Sequence, residues 1–286
     1  MKITIIGLGL LGGSFALGYQ EKRDDLRIVG VDNNDDNAHK AKELGLVDEV
    51  CGLNQAIENT DMIVLATPVN ILTEQLAQVL DAIADNTLVI DFGSTKELIC
   101  QSVQNHPNRG QYVAMHPIAG TENSGPEAAF SKLLHNQTMI ICEKEKSAPA
   151  HLRLAEEIFG ELNMHLLYMS AEEHDRHIAY VSHLSHISSF ALSTTVLEIE
   201  KDERSISNLA GSGFSSTVRL AKSSPEMWAP IFAQNTPNIS KALGAYIEHL
   251  QNFKQILDNE DEESSKSTMK AANEIRRILD GIDGKD

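Results

Sequence analysis

A histidine that can move a proton, a serine that can hold a hydroxyl and an arginine that can grip a carboxylate stand far apart in this 286-residue chain, at His116, Ser94 and Arg219. Imidazole titrates near pH 6.5, so His116 could take the proton from a hydroxyl whose carbon is losing hydride. Ser94, within Gly93-Ser94-Thr95-Lys96, could orient that ring or hold the hydroxyl. On spacing alone, a hydrogen bond within its own loop accounts equally well for His116. Arg219 follows the small and apolar run Gly211-Ser212-Gly213-Phe214-Ser215-Ser216-Thr217-Val218, where bidentate capture of a carboxylate competes with a surface ion pair. Ser182, His183 and His186, downstream of His174 and His177, recur at spacings of three and four and form a polar patch on one helix. Zinc would need an acidic or thiol ligand at matching spacing, and hydride transfer needs no metal, so no metal is expected. A substrate-facing patch is the favoured reading, with a solvated helix face as its alternative.

Hydride needs an acceptor, and the first residues offer a place for one. Ile3 to Ile6 are a β-branched run that reads as a buried strand, and Gly7-x-Gly9-x-x-Gly12 then turns into a helix. Gly7 permits the turn, Gly9 lets backbone approach a pyrophosphate, and Gly12 lets helix and strand pack closely. The phosphate charge would sit on the free N–H groups at the helix start. A second strand ends in Asp32, 20 residues beyond Gly12, the spacing at which a carboxylate meets the adenosine ribose hydroxyls. It would repel a 2′-phosphate, and Asn33, Asn34, Asp35 and Asp36 add no arginine. The expected cofactor is NAD, held by Gly7, Leu8, Gly9, Leu10, Leu11, Gly12 and Asp32, with Thr67, Pro68 and Ser94 on later turns.

The surrounding pattern supplies the frame. Strands are predicted over 61–66, 87–91, 112–115, 138–142 and near Leu166, with helices between them, so residues 1–169 read as a doubly wound parallel sheet covered on both faces. In such a sheet ligands lie at the carboxyl ends of the strands, which puts Ser94 and His116 on one rim. Residues 170–286 carry only helical patterns. Ser170 and Glu173 form a capping box that opens a helix to about residue 200, and Ser224-Pro225 starts another. Ile239, Leu243, Tyr246, Leu250, Phe253 and Leu257 make a heptad-like seam suited to a dimer contact or to a bundle face. A net charge of −17 argues against nucleic acid and anionic membrane as partners. Three scattered cysteines, no signal-like start and no long apolar run point to a cytoplasmic chain with reduced thiols.

Taken together, several segments resemble the prephenate dehydrogenase family of tyrosine biosynthesis: residues 7–14, Gly93-Ser94-Thr95-Lys96, His116-Pro117-Ile118-Ala119-Gly120-Thr121-Glu122-Asn123-Ser124-Gly125, Ser182-His183-Leu184-Ser185-His186, and Arg219 followed by Pro225-Glu226-Met227-Trp228. The resemblance runs over essentially the whole chain. It implies a Rossmann domain followed by an all-helical dimerisation domain, with prephenate as the small-molecule substrate. It also implies that His116 accepts the proton of the ring 4-hydroxyl while Ser94 supports both histidine and hydroxyl. Arg219 would bind a substrate carboxylate, and Ser182, His183, His186, Thr121 and Glu122 would belong to the substrate pocket. Ser215-Ser216 and Val218 replace a charged pair and a threonine common in the family, and Asn123 a frequent lysine, which leaves open an ionic contact among Glu122, this segment and Arg219.

The alternatives are arogenate or dual-specificity cyclohexadienyl dehydrogenase, a β-hydroxyacid dehydrogenase or imine reductase, and a non-catalytic NAD sensor. His186 in place of a carboxylate favours prephenate over the ammonium-bearing arogenate. The absence of a lysine in residues 177–186 disfavours the hydroxyacid version.

Overall fold

A computed structural model describes residues 1–283. Contacts divide the chain into two compact units, Met1–Thr236 and the part from Pro237 onward. The first unit is built on β1 (Lys2–Ile6), α1 (Leu10–Gln20), β2 (Arg27–Val31), α2 (Asp35–Glu43), β3 (Glu49–Val50), α3 (Leu53–Ile57), β4 (Met62–Leu65), α4 (Val69–Ala82), β5 (Leu88–Asp91) and α5 (Glu97–Ser102). It continues through β6 (Tyr112–Ile118), β7 (Thr138–Cys142), α6 (Pro149–Glu161) and β8 (His165–Met169). Among the described residues these eight strands form one sheet, ordered β3-β2-β1-β4-β5-β6-β7-β8.

Strands β1 to β6 are mutually parallel, as helix crossovers require. The alternating pattern predicts the same for β7, yet β7 runs antiparallel to β6. The reason is the link of residues 119–137, whose only regular piece is a single 3₁₀ turn at Pro126–Ala128, so no crossover helix carries the chain back to the starting end. Helix α6 does make a crossover, and β8 is parallel to β7. β3 has two residues, too few for any periodicity to reveal. One face of the sheet buries Phe15, Tyr19, Phe92 and Phe159 with the aliphatics of α1 and α6; the other buries Leu72, Leu76 and Leu80 of α4 with Tyr112, Trp228 and Ile231.

From Ser170 the described chain is helical. Ser170 Oγ accepts the Glu173 N–H at 3.0 Å and starts α7 (Ala171–Ile178). The predicted uninterrupted helix is broken by a π turn at Ala179–His183 before α8 (Leu184–Glu200). α9 (Ser212–Val218) and α10 (Pro225–Gln234) complete the first unit, with Pro225 at the first turn of α10. The second unit contains most of α11 (Thr236–Asp258), then α12 (Glu262–Ala272) and α13 (Arg276–Asp283). Along the α11 seam Ile239 is buried, Leu243, Tyr246 and Phe253 are half-buried, and Leu250 and Leu257 are exposed. Among the described residues no helix is long and apolar enough to cross a membrane.

Candidate active site

The glycine turn joins the end of β1 to α1. Gly7 has φ +97°, and a Cβ there would lie 2.6 Å from the Ala66 carbonyl oxygen and 3.0 Å from Thr67 N, so this turn is packed against the end of β4. A Cβ on Gly12 would be 2.2 Å from the Gly7 carbonyl. Gly9 is different: a Cβ there meets nothing within 4 Å. Helix α1 starts after Gly9 with no side-chain cap, which leaves its first N–H groups without a capping side chain. Asp32 is pinned beside this turn, accepting the Leu8 N–H and the Asn34 N–H at 2.9 Å each. An approachable backbone, an uncapped helix start and a fixed carboxylate on the neighbouring strand together fit a dinucleotide with unmodified ribose. Thr67 and Pro68 follow β4, with Thr67 Oγ1 donating to Gln75 at 3.3 Å and Pro68 preceding α4.

His116 lies on β6, three strand spacings or about 14 Å from β1 on the side away from Asp32. It is 8% exposed. Its Nδ1 is 2.8 Å from Nε2 of His174, whose Nδ1 is 2.7 Å from Asp175 Oδ1. Asp175 in turn accepts the backbone N–H of Lys96 at 2.7 Å and of Glu97 at 3.0 Å. Beneath them Lys96 and Asp91 form a fully buried ion pair. Asp91 also accepts from Tyr112 OH, Met115 N and Gly93 N, so its charge is fully engaged. Burial, then the neighbouring His174, Lys96 and His183, hold the His116 pKa well below 6.5. Burial lowers that of His174 too.

Among the described residues no hydrogen bond joins Ser94 to His116; Ser94 is half-buried on the β5–α5 turn while its neighbour Thr95 bonds Gln234 of α10 at 2.6 Å. The partner of His116 is therefore a histidine from α7, 58 residues away. His174 stands in the predicted patch, but periodicity cannot say which of its histidines faces β6. Asp175 carried no signal beyond standing next to it.

The patch itself divides. His183 is wholly buried, with Nδ1 3.2 Å from Asn235 Nδ2 and its ring edge-on to Trp228 at 5.9 Å. Burial lowers its pKa to about 4. His186 stacks on Trp228 at 3.5 Å, with Nδ1 3.0 Å from the Ser182 carbonyl. His177 is exposed. Arg219 Nη1 donates to Glu122 at 2.7 Å, so the ionic contact forms although Ser215 and Ser216 carry no charge. Thr121 Oγ1 accepts the Asn123 N–H at 3.2 Å.

Two family models match, the prephenate dehydrogenase nucleotide-binding domain over residues 15–168 and the prephenate dehydrogenase dimerization domain over residues 170–271. The chain belongs to the prephenate dehydrogenase family. Prephenate dehydrogenase of Bacillus subtilis is 31% identical over 283 residues, covering 96% of this chain and 76% of that protein. Cyclohexadienyl dehydrogenase of Zymomonas mobilis is 30% identical, covering 97% and 95%. A crystal structure of prephenate dehydrogenase from Aquifex aeolicus, in complex with hydroxyphenyl propionate and NAD+, superposes with TM-score 0.89 at 30% identity and covers 98% of each chain. As a member of the prephenate dehydrogenase family the chain is an NAD-dependent oxidoreductase, and the open space over Gly9 fits that cofactor.

Proposed function

We propose that this chain oxidises prephenate with NAD and releases carbon dioxide to give 4-hydroxyphenylpyruvate, with His116 as the base. The observation that carries this reading is the state of the His116 ring: Nδ1 is engaged by His174, whereas Nε2 has no hydrogen-bond partner among the described residues and is not one of the fully buried unpartnered nitrogens. Nε2 is thus free of a protein partner among those residues and not wholly enclosed. NAD, when bound, supplies the two-electron acceptor. His116 Nε2 takes the 4-hydroxyl proton as the ring carbon loses hydride. The electron pair of the departing carboxylate then moves through the ring to that oxygen, which takes the same proton back, so the base ends each cycle as it began. Ser94, half-buried on the β5–α5 turn, would hold the hydroxyl. Arg219 keeps four N–H donors beyond the one given to Glu122, enough for a substrate carboxylate. The seam on α11 and the dimerization-domain match support a homodimer.

A second reading, arogenate as an additional substrate, has an observation of its own. The Ser182 carbonyl can only accept, so neutral His186 carries its hydrogen on Nδ1 and offers a bare Nε2. That nitrogen can accept from an ammonium but cannot donate to a keto oxygen. The test is NADH formation at 340 nm with prephenate and with arogenate, each with NAD and with NADP. Turnover of prephenate with NAD is expected, and arogenate activity within about tenfold would favour the second reading. Silence with both substrates, or a preference for NADP, would overturn the proposal.

A further inference from the structure

We propose that Asp175 is a positioning residue for the base: acting through His174, it keeps the hydrogen of His116 on Nδ1 and leaves Nε2 bare. The inference rests on His116 being the base.

Asp175 meets three groups. Two of them, the N–H groups of Lys96 and Glu97, can only donate. A carboxylate meeting them is acceptor-only, so the third contact, at 2.7 Å, requires the hydrogen of His174 to sit on Nδ1. Neutral His174 then presents a lone pair at Nε2. Two ring nitrogens 2.8 Å apart need one hydrogen between them, and it must come from Nδ1 of His116. Nε2 of His116 is left as the acceptor on the open side. The only escape is a doubly protonated His174, which would donate to His116 and reverse its tautomer. Burial opposes that, and so does the buried Lys96 ammonium facing both rings; Asp175 and Asp91 pull the other way, and His183 adds to the opposition at His116. The lowered pKa values of both rings follow the same balance. The backbone carbonyl of Asp175 also accepts from Asn235 at 2.7 Å, so Asp175 is fixed from the residue just past α10 as well as from the β5–α5 turn.

Asp175→Ala removes the oxygen that fixes the hydrogen on His174 Nδ1 and leaves both rings free to turn over. It should lower kcat by about 10²–10⁴-fold, as expected when a base holds the wrong tautomer, with NADH affinity and the prephenate KM little changed. Adding His174→Gln supplies an amide oxygen for Nδ1 of His116, and the double variant should regain at least about tenfold over Asp175→Ala alone. A purely structural role predicts no such rescue, and Asp175→Ala at parental kcat would overturn the proposal. The parent protein gives a reading that needs no variant to fold well. Nitrogen-15 NMR of labelled histidine rings at neutral pH, with the His116 signals identified by their loss in His116→Asn, should show a protonated Nδ1 and a bare Nε2. The opposite tautomer in an active parent would overturn this proposal alone, whereas an inactive parent would overturn the functional reading.

Discussion

As the proposed base, His116 would be weak but kept available. A base works only while unprotonated, so activity is lost as pH falls through its pKa. Because burial, His174, Lys96 and His183 lower that pKa well below 6.5, the acid limb of kcat/KM should lie below the pH at which an exposed histidine is half protonated. A profile measured with saturating NAD that turns down at or above pH 6.5 would contradict the assignment. The neighbouring cation explains the arrangement: Lys96, neutralised in part by Asp91, makes a second positive charge unwelcome and so keeps the ring free to accept. Lower basicity weakens the pull on the hydroxyl proton. The return of that proton to the product oxygen gains by the same amount, so a modest base suits a group that must both take and give.

At the scale of elements, the turn between β1 and α1 separates two demands that are usually tangled. Gly12→Ala forces a Cβ to within 2.2 Å of a carbonyl and should destabilise the fold by about 1–3 kcal/mol, seen as a lowered urea midpoint. Gly9→Ala meets no protein atom, and its φ of −80° suits alanine, so the midpoint should stay put while NAD affinity falls at least about tenfold. Unchanged affinity in Gly9→Ala would mean that no pyrophosphate passes there. These elements were legible because each is local: a β-branched run, glycines at fixed offsets, a carboxylate at the end of the next strand. The reversal at β7 was not, since it depends on what residues 119–137 fail to form. Nor was the partner of His116. Four histidines at helical spacing look alike along a sequence, and the π turn at Ala179–His183 alters which way they point. The resemblance to the family put Glu122 and Arg219 in one neighbourhood, while the substituted serines obscured that they still pair.

Over the whole molecule, three buried histidines should make stability depend on pH. For His116, His174 and His183 the folded pKa lies below the unfolded value near 6.5, and for His183 it is about 4. Between those values the unfolded chain binds protons that the native chain refuses. Their contribution is complete above about pH 6.5 and is lost as pH falls toward 4, at up to about 1.4 kcal/mol per pH unit for each group. The net charge of −17 works the other way, because acid relieves self-repulsion. At about 0.5 M salt that repulsion is screened and the histidine effect remains. Urea midpoints at high salt should therefore fall between pH 7 and pH 5; equal midpoints would show that the rings are charged in the native state. The grip of Asp175 on the Lys96 and Glu97 amides has a consequence in time. Those groups lie 79 and 78 residues apart along the chain, so none of their bonds exists until helix and sheet have met. A nascent or half-unfolded chain can own every glycine of its nucleotide turn and still have no prepared base. Chemical competence therefore comes with long-range assembly and is lost when that packing opens.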